Sequence, residues 1–205
     1  MHVASVNVKL PSAGGTAIDK RPVAGPVAVG VEGLAGDGVG NRRHHGGPDQ
    51  AVYAYGTADY AWWERELGRP LAPGTFGENL TIDGLESAPL QVGDRLVIGE
   101  VVLEVTSPRL PCATLAARIG DDQFIRRFRD ARRPGLYLRV LMPGNLAAGD
   151  PVSLEPAPAA SLPLLELQAL HYDRDVTRER IERALNAPID VRSRRTLERR
   201  LSRDA

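Results

Sequence analysis

The chain has 205 residues, with 26 basic and 26 acidic side chains and a formal net charge of zero. That balance points away from nucleic acid and anionic membranes as partners, because both are recognised by clustered positive charge. The single cysteine excludes an internal disulfide and an all-cysteine zinc site within one chain, and it suits a reducing compartment such as the cytoplasm. No basic leader followed by an apolar run opens the sequence, and no stretch approaches the roughly 20 apolar residues of a membrane helix, so no membrane partner is expected.

Residues 1–155 read as β-rich. Val3, Ser5, Asn7 and Lys9 alternate with Ala4, Val6, Val8 and Leu10, the period of a half-buried strand. Further strands are predicted over 26–31, 50–55, 79–82, 95–98, 101–107, 135–141 and 151–154, most of them bounded by Gly, Pro, Asn or Asp. Gly99-Glu100 reads as the turn of a hairpin between 95–98 and 101–107. Two helices interrupt the strands. One spans 57–67, with Thr57 as its N-cap, Gly68 as its stop and Tyr60, Trp63 and Leu67 as packing residues. The other spans 121–131, with Phe124 and Phe128 on one face.

Residues 155–161, EPAPAAS, read as a semi-rigid linker. Beyond it the pattern turns helical. Ser161 is the expected cap of a helix through Ala169. Asp175 or Thr177 is the expected cap of another through Leu185, with Arg178/Glu182 and Glu179/Arg183 at i,i+4 spacing. A last basic helix follows Pro188, near Arg192 to Leu201, and its arginines read as a solvated face. The predicted organisation is therefore an α+β, mainly β domain over 1–155 and a linker with a small helical appendage over 156–205.

Three segments can carry chemistry. The first, GLAGDGVGNRRHHGGPDQ (33–50), packs six glycines around two arginines, two histidines and two aspartates. Glycine permits sharp turns and close approach of backbone N–H groups to an anion. Arg42 and Arg43 suit phosphate, and His44 and His45 suit hydrogen bonding or proton transfer. It has neither the Gly-Lys-Ser/Thr of a nucleotide-binding P-loop nor a strand-loop-helix with GxGxxG spacing, and an ordinary long turn explains its composition equally well. The second, GTFGENLTIDGL (74–85), places Glu78 and Asn79 between a turn and a strand. They could orient a ligand or satisfy their own backbone. The third, SPRLPC (107–112), holds Cys112 between prolines beside Arg109, whose charge favours the thiolate. Such a sulfur can be a nucleophile, a redox centre or a soft-metal ligand, whereas a lone cysteine is more often a small buried hydrophobe.

Taken together, GLAGD (33–37), HGGPDQAVYAY (45–55), FGENLT (76–81), VGD (92–94) and SPRLPC (107–112) resemble the MOSC domain, named for the C-terminal domain of molybdenum cofactor sulfurases, and above all its free-standing YiiM-like members. The resemblance spans nearly all of 1–155, and the tail is similar to the three-helix appendage of that subgroup in shortened form. It implies a β-barrel with a few helices and a molybdenum cofactor, molybdenum on a pterin dithiolene, held by the Cys112 thiolate. It implies reduction of small N-hydroxylated compounds to amines, with electrons from separate flavin and iron–sulfur proteins. Carried over by position, Asp37, His45, Gly46, Gly47, Glu78 and Asn79 would shape the pocket. Arg42, Arg43 and Arg109 are electrostatic candidates for the cofactor phosphate, and His45 is a candidate proton donor to the departing oxygen. Two other readings stay open: sulfur transfer through a persulfide on Cys112, and a non-catalytic cofactor-binding module. A pyridoxal phosphate site finds no support, since neither Lys9 nor Lys20 lies in these motifs. The tail could dock a reductase, cover the pocket or mediate homodimer contacts.

Overall fold

The computed structural model describes residues 1–9, 16–37, 46–157 and 161–203. In chain order the described elements are β1 (His2–Val8), β2 (Arg21–Pro22), β3 (Val27–Gly30), β4 (Gly33–Leu34), a 3-10 turn (Pro48–Gln50), β5 (Val52–Gly56), α1 (Thr57–Leu67), β6 (Leu80–Asp83), β7 (Gln91–Val92), β8 (Arg95–Ile98), β9 (Val101–Pro108), α2 (Ala113–Ile119), α3 (Phe124–Ala131), β10 (Leu136–Met142), β11 (Gly144–Leu146), β12 (Ser153–Glu155), β13 (Leu162–Pro163), α4 (Leu164–Tyr172), α5 (Arg178–Asn186) and α6 (Val191–Leu201). Among the described residues no helix is long and apolar enough to cross a membrane.

Eight strands form one sheet in the order β12-β8-β9-β10-β5-β6-β1-β2. Its one parallel pair is β5–β6, joined across α1, as a parallel connection requires. Among the described residues the sheet does not close into the expected barrel, and β12 and β2 are its edges. A single isolated bridge, His2 to Pro151, approaches closure. Pro151 has no N–H with which to continue a ladder, which is a physical reason for the pairing to stop there.

β5 shows how the sequence sets the interior. Its residues are buried on both faces, so VYAYG reads as a continuous apolar run. Val52 and Ala54 join an apolar cluster that extends from Val3 and Val6 through Leu103 and Val105 to Leu164, Leu167, Ile181 and Leu197. Tyr53 and Tyr55 point the other way, into an aromatic cluster with Tyr60, Trp63, Phe76, Phe124 and Phe128. The last four are fully buried, each stabilising the fold by about 1.5–3 kcal/mol on burial alone. The tail helices and the sheet therefore share one apolar cluster.

Several boundaries differ from expectation for local reasons. The N-cap of α1 is Gly56. Thr57 is already helical, and its hydroxyl donates instead to Asp83 Oδ1 at 2.7 Å. The Gly68 stop is left-handed, as expected. The 121–131 helix begins only at Phe124, because Asp121 Oδ1 accepts from Gln123 N at 2.8 Å in a turn. Ser161 does not cap α4. It donates to Gln91 Oε1, and Leu162 pairs with Val92 before the helix starts. Thr177 caps α5, and Arg178 pairs with Glu182 at 2.7 Å, but Arg183 reaches Glu166 at 2.8 Å rather than Glu179. Helix α2 was not expected at all.

Candidate active site

β9 ends at Pro108, and the chain then crosses Arg109-Leu110-Pro111 in non-repetitive backbone. Cys112 is the extended residue that precedes α2 (φ −135°, ψ 166°). It is half-buried and packs against the edge of the aromatic cluster. Arg118, near the end of α2, donates to Thr75 O at 2.8 Å and pairs with Asp19 at 2.8 Å. The helix that follows the cysteine is thus pinned to the segments carrying Glu78 and Lys20. The same Arg118 hydrogen bond holds the Asp19 carboxyl below its ordinary range.

Arg109 is buried, at 4% exposure. Its Nη2 lies 4.0 Å from Cys112 Sγ, and its guanidinium lies 5.1 Å over the Tyr53 ring. Burial works against its charge, but Tyr137, Tyr53 and Cys112 outweigh that and raise its pKa. Arg109 Nε and the buried Ser107 hydroxyl have no hydrogen-bond partner among the described residues. Ser107 stands opposite Tyr137 on β10, so the two side chains share a face of the sheet. Tyr137 stacks at a tilt on Tyr53, with centroids 5.2 Å apart. Burial raises the Tyr137 pKa, so its hydroxyl keeps its proton and is available as a donor.

On the other side of Tyr53 lies a buried polar group. Asn79 Oδ1 accepts from Tyr53 N at 3.1 Å, and Asn79 Nδ2 donates to Asp37 Oδ2 at 2.8 Å. Asp37 Oδ1 accepts from Lys9 N at 2.9 Å, and Asp37 Oδ2 is paired with Lys20 Nζ. Burial lowers the Lys20 pKa, while Asp37 and, more weakly, Glu78 oppose the shift; Arg109 is close enough to add to it. Gly74 makes this possible. A Cβ there would sit 2.4 Å from Lys20 O.

The structure brings Asp37 and Asn79 together and links them through Tyr53 to Arg109 and Cys112. Glu78 is fully buried beside them but turns to support the loop. Its Oε1 accepts from Tyr60 Oη (2.5 Å), Gly74 N (2.7 Å) and Thr81 Oγ1 (2.8 Å), while Oε2 has no described partner. Burial raises its pKa despite these donors. Gly46 and Gly47 have φ of +76° and +88°, conformations that glycine adopts without strain. Arg42, Arg43, His44 and His45 lie outside the described residues. The sequence reading missed Lys20, Ser107, Tyr53 and Tyr137. A lysine kept in a chain whose other basic residues are nearly all arginine was a usable signal for Lys20. Tyr53 and Ser107 lie inside the HGGPDQAVYAY and SPRLPC motifs without any sign there of a role at the site, and Tyr137 looks like an ordinary strand residue.

The MOSC domain profile matches residues 41–153. The crystal structure of YiiM from Geobacillus stearothermophilus is 30% identical, covers 98% of each chain and superposes with a TM-score of 0.83. The YiiM protein of Escherichia coli is 33% identical over 143 residues, 68% of this chain and 63% of that protein. A protein named reductase from Gibberella moniliformis is 32% identical over 186 residues, 86% of this chain but 33% of that protein. The chain thus spans less than two thirds of the length of these two curated relatives. The matched profile covers more than half of the chain, including the loop at Gly46, the Glu78-Asn79 turn and Cys112, and the chain belongs to the MOSC domain family, among proteins of YiiM type.

Proposed function

We propose that this chain holds a molybdenum cofactor through the Cys112 sulfur and reduces N-hydroxylated compounds to amines. The observation that carries the reading is the half-buried sulfur backed by a buried guanidinium, with Arg109 Nε and Ser107 Oγ unpartnered among the described residues. Buried polar atoms are seldom left in that state, so a polar ligand at this position would complete them. The donor set fits the cofactor as well. Among the described residues no group of three or more His, Cys, Asp or Glu side chains could hold a metal. Cys112 offers a single soft donor, which suits a metal whose remaining ligands come with a pterin dithiolene. The reductase name of one relative supports an oxidoreductase over a storage role.

When bound, the cofactor would supply two-electron exchange at the metal. The overall change is R–NHOH plus two electrons and two protons to R–NH2 and water, with the electrons from a separate flavin or iron–sulfur protein. The chain's own residues would bind and orient. Cys112 ligates, and Arg109 stabilises negative charge at the sulfur. Tyr137 can donate a hydrogen bond into the same face. The Asp37–Lys20–Asn79 group stiffens the wall behind Tyr53. His45, Arg42 and Arg43 keep their proposed roles in proton delivery and phosphate binding.

The test is metal and pterin analysis of protein made in a cofactor-competent host, with benzamidoxime reduction under a flavin/iron–sulfur donor system. Stoichiometric molybdenum that is lost in Cys112→Ser, together with turnover, is expected. A persulfide on Cys112 without metal would replace this reading with sulfur transfer, and metal without turnover would replace it with a binding module.

A further inference from the structure

The segment between α5 and α6 returns from the tail to the sheet at the site. Pro188 O and Ile189 O accept from Arg139 Nη2 at 3.0 and 3.4 Å. Asp190 N donates to Thr106 O at 3.2 Å, and Val191 N donates to Asp49 Oδ2 at 2.8 Å. Arg192 Nη1 donates to Gln50 Oε1 at 2.5 Å, and the second Asp49 oxygen pairs with Arg139 at 3.1 Å. Two of these bonds, from Val191 N and Arg192 Nη1, fix the segment to the turn that follows Gly46-Gly47, and the others join it to Arg139 and Thr106 on the sheet.

These contacts converge on Thr106. Its hydroxyl is shared between Asp49 O at 2.6 Å and Tyr137 O at 3.1 Å. It is also the extra residue of a bulge, since Tyr137 pairs with Ser107 while Leu138 pairs with Val105. A bulge re-aims the side chains around it. Here those side chains are Ser107 and Tyr137, which share a face of the sheet, and Tyr137 is close enough to Arg109 and Cys112 to feel their charges. Tyr137 also feels the charges of Asp190 and Arg192, so the head of α6 lies close to it. Asp190 is 1% exposed, and its Oδ1 caps α6 through Arg192 N and Ser193 N, so the segment is rigid where it meets the sheet.

We propose that Asp49 and the head of α6 form a positioning clasp that holds the Thr106 bulge and thereby aims Ser107 and Tyr137 at the Cys112 sulfur. The catalytic consequence rests on the proposed function, but the geometric claim does not. Asp49 is a positioning residue: its main-chain carbonyl accepts from Thr106, and its carboxylate ties that carbonyl to the head of α6 and to Arg139.

Because Cys112 is the only cysteine, its alkylation by iodoacetamide reads the clasp directly in the full chain prepared without metal, where the sulfur is free to react. Asp49→Ala is expected to raise the alkylation rate about fivefold, equivalent to about 1 kcal/mol in the barrier. Asp49→Asn keeps an acceptor for Val191 N and should return the rate to within about twofold of wild type. In metal-loaded protein Asp49→Ala should raise KM for benzamidoxime more than it lowers kcat. Arg178→Ala, on the exposed side of the tail, is the control and should change none of these. If Asp49→Ala does not fold, Arg192→Ala, which loses the Gln50 bond, carries the test, with at least a twofold rate change expected. A folded clasp variant that alkylates at the wild-type rate, or a control that changes it as much, overturns the clasp. Protein that never takes up molybdenum defeats the proposed function and leaves the alkylation comparison standing.

Discussion

Asn79→Asp is nearly isosteric and places a carboxylate oxygen where Nδ2 now donates to Asp37 Oδ2 at 2.8 Å. Tyr53 N keeps its acceptor, so the perturbation is almost purely electrostatic. Two unit charges at that distance repel by about 6 kcal/mol at an effective dielectric of about 20. The pair can avoid this by keeping one proton. With an unfolded carboxyl near pKa 3.9, holding that proton at pH 7 costs about 4 kcal/mol, so protonation is the cheaper route and sets the ceiling. Lys20, already against Asp37, reduces it further, and a loss of about 2–4 kcal/mol at pH 7 is expected. The folded pair binds a proton more tightly than the unfolded chain does. The variant's relative stability is therefore greatest below about pH 4 and falls as pH rises, by up to about 1.4 kcal/mol per unit. Urea unfolding of both proteins at pH 5 and pH 7 measures it. An equal stability difference at the two pH values would refute the idea that Asp37 and Asn79 meet in a buried, charge-sensitive group.

Glu78→Gln tests the neighbouring carboxyl. Burial raises the Glu78 pKa above its ordinary 4.5, so its stabilising contribution is complete below that pH and declines as pH climbs through the raised value. The Gln variant should show a smaller drop in Tm between pH 5 and pH 8 than wild type, and an unchanged drop in a thermal melt would count against a buried proton there. Gly135→Ala should destabilise by about 2–5 kcal/mol, combining a left-handed φ of +69° with a Cβ placed 2.5 Å from Tyr55 and 2.7 Å from Tyr53. Since Tyr53 underlies Arg109, the variant should also change the Cys112 alkylation rate, whereas a stability loss with no change in that rate would show that the ring's position does not matter to the sulfur.

Much of the strand pattern was legible because the periodicity is local. The 95–98 and 101–107 hairpin and the 57–67 helix lie where alternation, Gly99 and Gly68 put them. Helix α2 was not legible, since Ala113–Ile119 is short and its start is concealed between Pro111 and the cysteine. Edge closure was not legible either, because it turns on where Pro151 meets β1, nearly the whole domain away in sequence. The site divides in the same way. Motifs exposed Asp37, Asn79, Arg109 and Cys112, whose chemistry is visible in their type and spacing. Lys20, Tyr53 and Tyr137 gain their roles from contacts across the sheet, which no window of sequence contains. Gln50 and Asp49 sit inside a motif yet bind the tail, a pairing that membership of the motif does not reveal.

The apolar cluster shared by the first strand and the last helix also constrains how the protein can be made. Val3 and Leu197 belong to one core, so about 190 residues separate the ribosome's delivery of the two. At about 5–20 residues per second that interval is roughly 10–40 s. Until the tail emerges, the sheet face awaiting α4, α5 and α6 presents oily surface with no partner. Nascent chains of this protein are thus candidates for chaperone capture until translation passes α6, a burden that a tail on its own separate core would not impose.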